Sequence, residues 1–418
     1  MDQVQELIAQ YVPRHPVLLR TGLGLAREFR PVLRLGNNVF VTSSSAVREV
    51  LAREQDFLSG VLYAPKMKLG PFVLGMDRSD QYLAERAALV RALKDQANSF
   101  SDIVRQEARA AARALGGAHG VDLVSSFVEP VMMRAASRLY GVPTDGARSS
   151  YLDAREGDAT FALWLRKLGA VIGSSSPAPF GLEALALRLA DEVLPHLRRA
   201  VARHRDQTLG RDGPTIIGNL IADKESPLDD EGIVRSVGGM LTAGATVCKA
   251  FVHALHALLR RPAELRGAAL ASEQGDADRV RAYHWEALRF QPVFPLLVRY
   301  CARATQIDAH GPHATEVPAG AMVVIAPVTA MFDLSVVERP ETFRVGRPAQ
   351  SYLHFGAGQH RCIGEWLAGA ALPAMFSALC ELPGFLDTAP GRLEFDGPAI
   401  GRYQIVLTHR GVALPLQQ

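Results

Sequence analysis

Between His354 and Leu367 the sequence reads HFGAGQHRCIGEWL, a single cysteine set among glycines, aromatics and a basic pair. The stretch begins as a loop and ends by opening a helix, and its glycines let the backbone pass close to something flat and bulky. Cys362 stands at the junction, where free backbone N–H groups and the helix dipole favour an anion, here a thiolate. His360 is placed to donate to a carboxylate, and Phe355 to shield the sulfur from water. A metal-bound thiolate needs these features: a lowered pKa, restrained electron donation and a dry wall. A lone cysteine in a glycine-rich turn is ordinarily structural. Phe355, Gly358, His360 and Gly364 standing in register with it point to a ligand instead.

Those residues fit F-x-x-G-x-[HR]-x-C-x-G without a gap. The stretch resembles the haem-binding loop of the cytochromes P-450, the haem-thiolate monooxygenases, in which cysteine ligates the iron. The resemblance implies haem b with Cys362 as axial thiolate and metal ligand, and with Phe355, Gly356, His360 and Gly364 around it. It also implies a mainly helical fold with a smaller β-rich lobe, the haem lying between a long central helix and the cysteine helix.

A long helix is indeed predicted. Asp229 is its cap, Glu231 supports its first turn, and Arg260-Arg261 precede the stop at Pro262. About thirty residues span about 45 Å, enough to cross the molecule. Glycines at 238, 239 and 244 cost helix stability, so a reason is expected; the resemblance offers close passage over the haem. In the family this helix reads [AG]-G-x-[DE]-T, the acid and threonine relaying protons to the bound oxidant. Anchoring on Ala243-Gly244 puts Thr246 at the acid and Val247 at the threonine. Counting back from Arg261-Pro262 puts Ala245 at the acid and Thr246 at the threonine, and a continuous helix favours this register. In both registers the carboxylate is missing.

Other elements must hold this pair of segments. A helix from Met76-Asp77 to about Asn98 sets Tyr82 and Arg86 one turn apart, where the resemblance assigns propionate partners. A helix over 277–290 carries Glu286 and Arg289, three apart on one face, a structural pair in the family. Its third partner is Arg344 or Arg347, because Thr342 replaces the usual arginine. In the irregular segment 327–347, Met331-Phe332-Asp333 keeps only the acid of the usual Asn-Arg-Asp. Arg299, in the extended run after Gln291, fits a second propionate. Candidates for the substrate wall are Phe161, Leu163, Trp164, Leu168, Met240, Phe294, Leu296, Leu297 and Ile400. Arg166 and Lys167 read as a solvated face or an attraction for acidic substrates.

Around these lie a hairpin over 32–41 with Gly36-Asn37 at its turn and a helix from Ser43 to Glu54. A loop covers 57–76, helices Tyr151–Leu168 and Gly181–Asp206 flank a Gly/Ser/Pro linker, and a terminal hairpin spans Gly397–Leu407. The 418 residues carry a net charge of +3, near balance, which argues against nucleic acid as the main partner. The four cysteines are scattered, as in a reducing cytoplasm. Met1–Arg20 lacks the apolar run of a signal or membrane anchor. The resemblance covers residues 1–418 as one domain. It implies oxidation of a small organic molecule, an O₂-dependent monooxygenation in secondary metabolism. Electrons would come from ferredoxin and ferredoxin reductase docking near Arg361. The missing acid keeps a peroxide-dependent or hydroperoxide-rearranging enzyme open, and a non-catalytic partner protein of the same fold is the remaining alternative.

Overall fold

Proline at a first helical turn loses no hydrogen bond, and the described chain enters through such a helix, α1 (Pro16–Phe29). The structure is a computed structural model and describes residues 15–407 apart from 95, 117–119, 152–155, 174–179 and 207–213. The hairpin follows as expected. β1 (Val32–Leu35) and β2 (Asn38–Val41) pair antiparallel across Gly36, whose φ of 61° suits the turn. The chain then returns to this small lobe from far along the sequence. β2 pairs in parallel with β8 (Met322–Ile325), β8 with β5 (Leu297–Cys301), and β5 with β3 (Phe57–Leu58). The alternating side chains of this sheet bury Val39, Val41, Val323 and Ile325 against α2 (Ser44–Ala52). Ser43 caps α2 by accepting from Ala46 N, so this helix is shorter than the predicted Ser43–Glu54.

A second, larger core is helical. It is built from α3 (Asp80–Leu93), α4 (Ala97–Leu115), α5 (Glu129–Tyr140), α6 (Asp158–Gly173), α7 (Phe180–Asp206), α8 (Ile216–Ala222), α9 (Asp230–Leu259), α10 (Pro262–Glu273), α11 (Ala277–Phe290) and α12 (Glu365–Cys380). The long helix α9 is its axis and packs on α5, α6, α7, α11 and α12. Asp229 is its cap, accepting from Gly232 N at 2.7 Å, and the helix is α throughout. Among the described residues α9 alone is long and apolar enough to cross a membrane, and 72% of its apolar window is buried inside the protein.

Two of the three mid-helix glycines answer to contacts within the protein. A Cβ on Gly239 would overlap the Phe72 ring, and one on Gly238 would lie 2.9 Å from Leu197 and from Leu69. The segment before α3 therefore presses directly onto the α9 backbone. A Cβ on Gly244 would meet nothing within 4 Å.

Four boundaries differ from the sequence reading. The single helix expected from Met76 to Asn98 is two, because Ser79 caps α3 and the chain breaks after Leu93. Asp77 instead accepts from Ser59 N and Gly60 N, and the expected loop 57–76 contains short helical turns. The helix expected from Tyr151 begins at Asp158, after a bridge between Arg148 and Glu156. The hairpin β9 (Leu393–Asp396) and β10 (Ala399–Val406) turns at Gly397-Pro398, so Ile400 to Tyr403 lie along a strand rather than at the tip. β10 also pairs with β4 (Gly120–Asp122), a strand the sequence reading did not contain. The linker 174–179 and the residues before His15 lie outside the described residues.

Candidate functional site

The cysteine loop is shaped by two positive-φ glycines, Gly356 and Gly358, both at 70°. Gly358 is doubly constrained, because a Cβ there would overlap the Leu51 carbonyl of α2. Cys362 N donates to Phe355 O at 3.0 Å, which closes the loop. Gly364 caps α12, so Cys362 sits two residues before that cap, at the predicted junction. The sulfur is reached by solvent although it is sunk among protein atoms. The lowered pKa expected there does not hold for the polypeptide. Burial pushes the Cys362 thiol up, and the Gly364 N–H works in the opposite direction. Phe355 stacks edge-on to Trp285 at 5.1 Å, and Trp285 O bonds the His354 ring at 2.8 Å, so α11 supports the loop from behind. Trp285 was absent from the sequence reading; its one signal was position, one residue before Glu286.

Three basic groups converge beside this loop. Arg299 is nearly buried on β5, and its described hydrogen bond goes to the neighbouring carbonyl of Val298. Arg86 reaches the Arg361 carbonyl, at 3.3 Å, and the Tyr82 hydroxyl. Among the described residues no carboxylate pairs with either guanidinium. Burial, and next the Arg299 charge, pull the pKa of His360 down to about 4. Its Nε2 lies 3.5 Å from Ser59 Oγ. Tyr82 corrects the expectation. Its hydroxyl donates to Gln359 O at 3.0 Å, so its one proton ties α3 to the cysteine loop and is not available to a carboxylate.

The pair Glu286–Arg289 is fully buried, with contacts of 2.7 and 3.0 Å. Its third partner is Arg347, whose Nε meets Glu286 Oε1 at 3.1 Å. Arg344 gives only its backbone N–H, at 3.0 Å, and sends its side chain to Glu338. Tyr352 donates to Glu286 Oε2 at 3.2 Å. Burial alone would raise the Glu286 carboxyl, but Arg289, Arg344 N–H and Arg347 together hold it below the usual glutamate value. Asp333, the retained acid, accepts from Ser44 N at the start of α2.

On α9 the burial lapses at one place. Ala243 is exposed and Gly244, Ala245 and Thr246 are half-buried, in a helix otherwise buried on both sides of them. Thr246 Oγ1 donates to Ala243 O at 2.6 Å. The α-helix has no bulge here, which agrees with the register that puts Ala245 at the acid and Thr246 at the threonine.

The sequence profile described as Cytochrome P-450 matches residues 279–381, which hold Glu286, Arg289 and Cys362. The 20-oxo-5-O-mycaminosyltylactone 23-monooxygenase of Streptomyces fradiae is 26% identical over 68% of this chain, and the cytochrome P-450 monooxygenase PikC of Streptomyces venezuelae is 26% identical over 65%. The matched stretches span 61% and 59% of those relatives' own length. The crystal structure of P-450 BioI in complex with a hexadec-9Z-enoic acid-ligated acyl carrier protein superposes with a TM-score of 0.78. It covers 96% of this chain and 100% of its own, at 15% identity. The chain has the cytochrome P-450 fold.

Haem b with an axial cysteine thiolate is the cofactor of that family. The residues beside the loop fit it, since two guanidiniums and a histidine, none of them in a described ion pair, suit two propionates beside an exposed cysteine. The substrate-wall candidates divide. Phe161 and Trp164 are core residues, and Trp164 Nε1 is spent on Glu192 at 3.1 Å. Met240 and Ile400 are also buried in the helical core. An apolar stripe at helical spacing was packing here, as such stripes usually are. Leu168 does line a small cavity beside α9, with Met67, Phe72, Ile172 and Thr242. Phe294 is exposed, and Leu296 and Leu297 are half-buried. Arg166 and Lys167 are neither solvated nor free, since they pair with Glu129 at 2.8 Å and Asp396 at 2.8 Å.

Proposed function

We propose that the protein is a haem-thiolate monooxygenase of a small organic molecule, with Cys362 as the iron ligand and Arg86, Arg299 and His360 as propionate partners. The observation that carries this reading is the convergence of three basic groups, none of them in an ion pair among the described residues, on the cysteine loop. Bound haem supplies activation of O₂, one atom entering the substrate and the other leaving as water, with two electrons and two protons consumed. Gly356 and Gly358 let the loop backbone turn tightly, and Phe355 packs against Trp285 of α11 behind it. Thr246, held by its bond to Ala243 O, keeps lone pairs with which to accept from a water and pass a proton. Ala245 holds no proton, so delivery depends on water or on the substrate.

Electrons come from a ferredoxin and its reductase, docking on the face of the cysteine helix. Arg361 contributes little charge there, because Glu365 pairs with it at 2.9 Å; Arg48 beside it has no carboxylate partner among the described residues. The named relatives from Streptomyces support a role in secondary metabolism, and the scattered free cysteines support a cytoplasmic location. Ala245 favours one second reading, use of a peroxide as oxidant. Turnover separates them: product formed with ferredoxin, reductase and NADPH but not with peroxide alone supports the first, and the reverse supports the second.

A further inference from the structure

Lys249 is charged, buried and without a counter-ion. It lies on α9, where Ser236 to Leu259 contain no other lysine, arginine or acid. Its side chain is 7% exposed. The ammonium has three protons to donate and, among the described residues, one acceptor, Pro398 O at 2.8 Å; no carboxylate pairs with it. Asp396, two residues before Pro398, pairs with Lys167. Burial draws the Lys249 pKa down to about 8, which leaves it mostly charged at neutral pH.

Its position gives this charge a use. Lys249 is one helical turn beyond Ala245 on the same face, next to the stretch of α9 that is open. Its Nζ lies 5.7 Å from the centroid of the Phe294 ring, which is 41% exposed. Pro398 is the tip of the β9–β10 hairpin, and that tip rests on Gly173 at the end of α6. The ammonium therefore ends where α9, the Phe294 segment and the hairpin tip meet. A buried ammonium with two unmet donors is costly unless an anion joins it.

We propose that Lys249 is a substrate-binding residue and that the substrate carries a carboxylate. The carboxylate takes up the free donors of Lys249 while the apolar part of the substrate lies over Phe294. It stands one turn from Ala245, so the substrate brings the acid that the helix lacks. This deepens the monooxygenase reading and rests on it.

The test is a spectral titration of the purified holoenzyme with dodecanoic acid and with 4-phenylbutyric acid, each against its methyl ester. Both acids are expected to bind at least about tenfold tighter than their esters. Lys249→Met is expected to lose that preference through weaker acid binding, with ester affinity unchanged, and Lys249→Arg is expected to keep it. Haem content and melting temperature of each variant show whether it is folded. If Lys249→Met does not fold, the acid preference of Lys249→Arg and its loss in Lys249→Gln decide the matter. Acids that bind no better than esters to the parent, silence from both included, overturn the proposal. So does a preference that survives in Lys249→Met. A role confined to pinning the hairpin predicts equal losses for acid and ester. A parent protein without haem refutes the monooxygenase reading itself, and is visible before any ligand is added.

Discussion

Arg299 is charged and nearly buried, and no described carboxylate forms an ion pair with it, although Asp77 acts on it from a distance. A residue kept for folding would be paired; one kept for a cofactor can wait for its anion. Arg299→Gln therefore removes a charge-assisted contact worth about 1.5–3 kcal/mol. Haem loss to an excess of haem acceptor should speed up by about tenfold or more, while thermal stability of the haem-free protein does not fall. Equal destabilisation with and without haem would make Arg299 structural. Thr246 is tested through coupling. Thr246→Ala should lower product formed per electron consumed by about tenfold, less than the roughly hundredfold or more of a full general acid–base contribution because water remains as a proton source, and Thr246→Ser should restore most of it. At this scale the sequence was most legible where function needs contiguous residues. The five matched residues of the cysteine loop landed as a unit. Lys249 was missed, although a single charge inside an apolar helical run was a signal in plain view.

The helix α9 shows how an element can be placed from sequence before its contacts are known. Its start, cap and length followed from Asp229 and the apolar run. Its glycines did not explain themselves, because the partner of Gly239 is Phe72, far away in sequence. Gly239→Ala forces its methyl into that ring and should cost about 1–3 kcal/mol, as overpacking does. Gly244→Ala meets open space and should melt no lower than the parent, since alanine gains up to about 1 kcal/mol in a helix. Paired thermal melts check both; a Gly239→Ala protein as stable as the parent would show that the contact relaxes freely. α6 taught the opposite lesson. Phe161 and Trp164 have helical spacing, which says that one face is covered but not by what. Glu192 and His196 on α7 cover it.

Across the whole molecule, Glu286 joins α11 to the segment that leads to the cysteine loop. The pair with Arg289 was legible from three-residue spacing. The choice of Arg347 over Arg344 was not, because it depends on how the chain folds back after Arg339, a residue at φ 45°. Removing the carboxylate leaves two guanidiniums buried, so Glu286→Ala should cost about 3–5 kcal/mol. The pH dependence follows from the depressed pKa. The Glu286 carboxylate contributes its full stability above the ordinary glutamate value of 4.5 and loses it as the pH falls through the lower, folded value. Melting temperature measured from pH 7 downwards should fall more steeply below about pH 4.5 in the parent than in Glu286→Gln, which starts lower and stays flatter. Parallel curves would mean that Glu286 is not held as described.

Everything above depends on one ligand, and one spectrum examines it most directly. The purified protein is reduced, exposed to carbon monoxide and compared with Cys362→Ser treated in the same way. The account predicts the strongly red-shifted Soret band of thiolate-ligated haem in the parent and its loss in the variant. A parent that binds no haem, or a variant that keeps the parent's band, would contradict it.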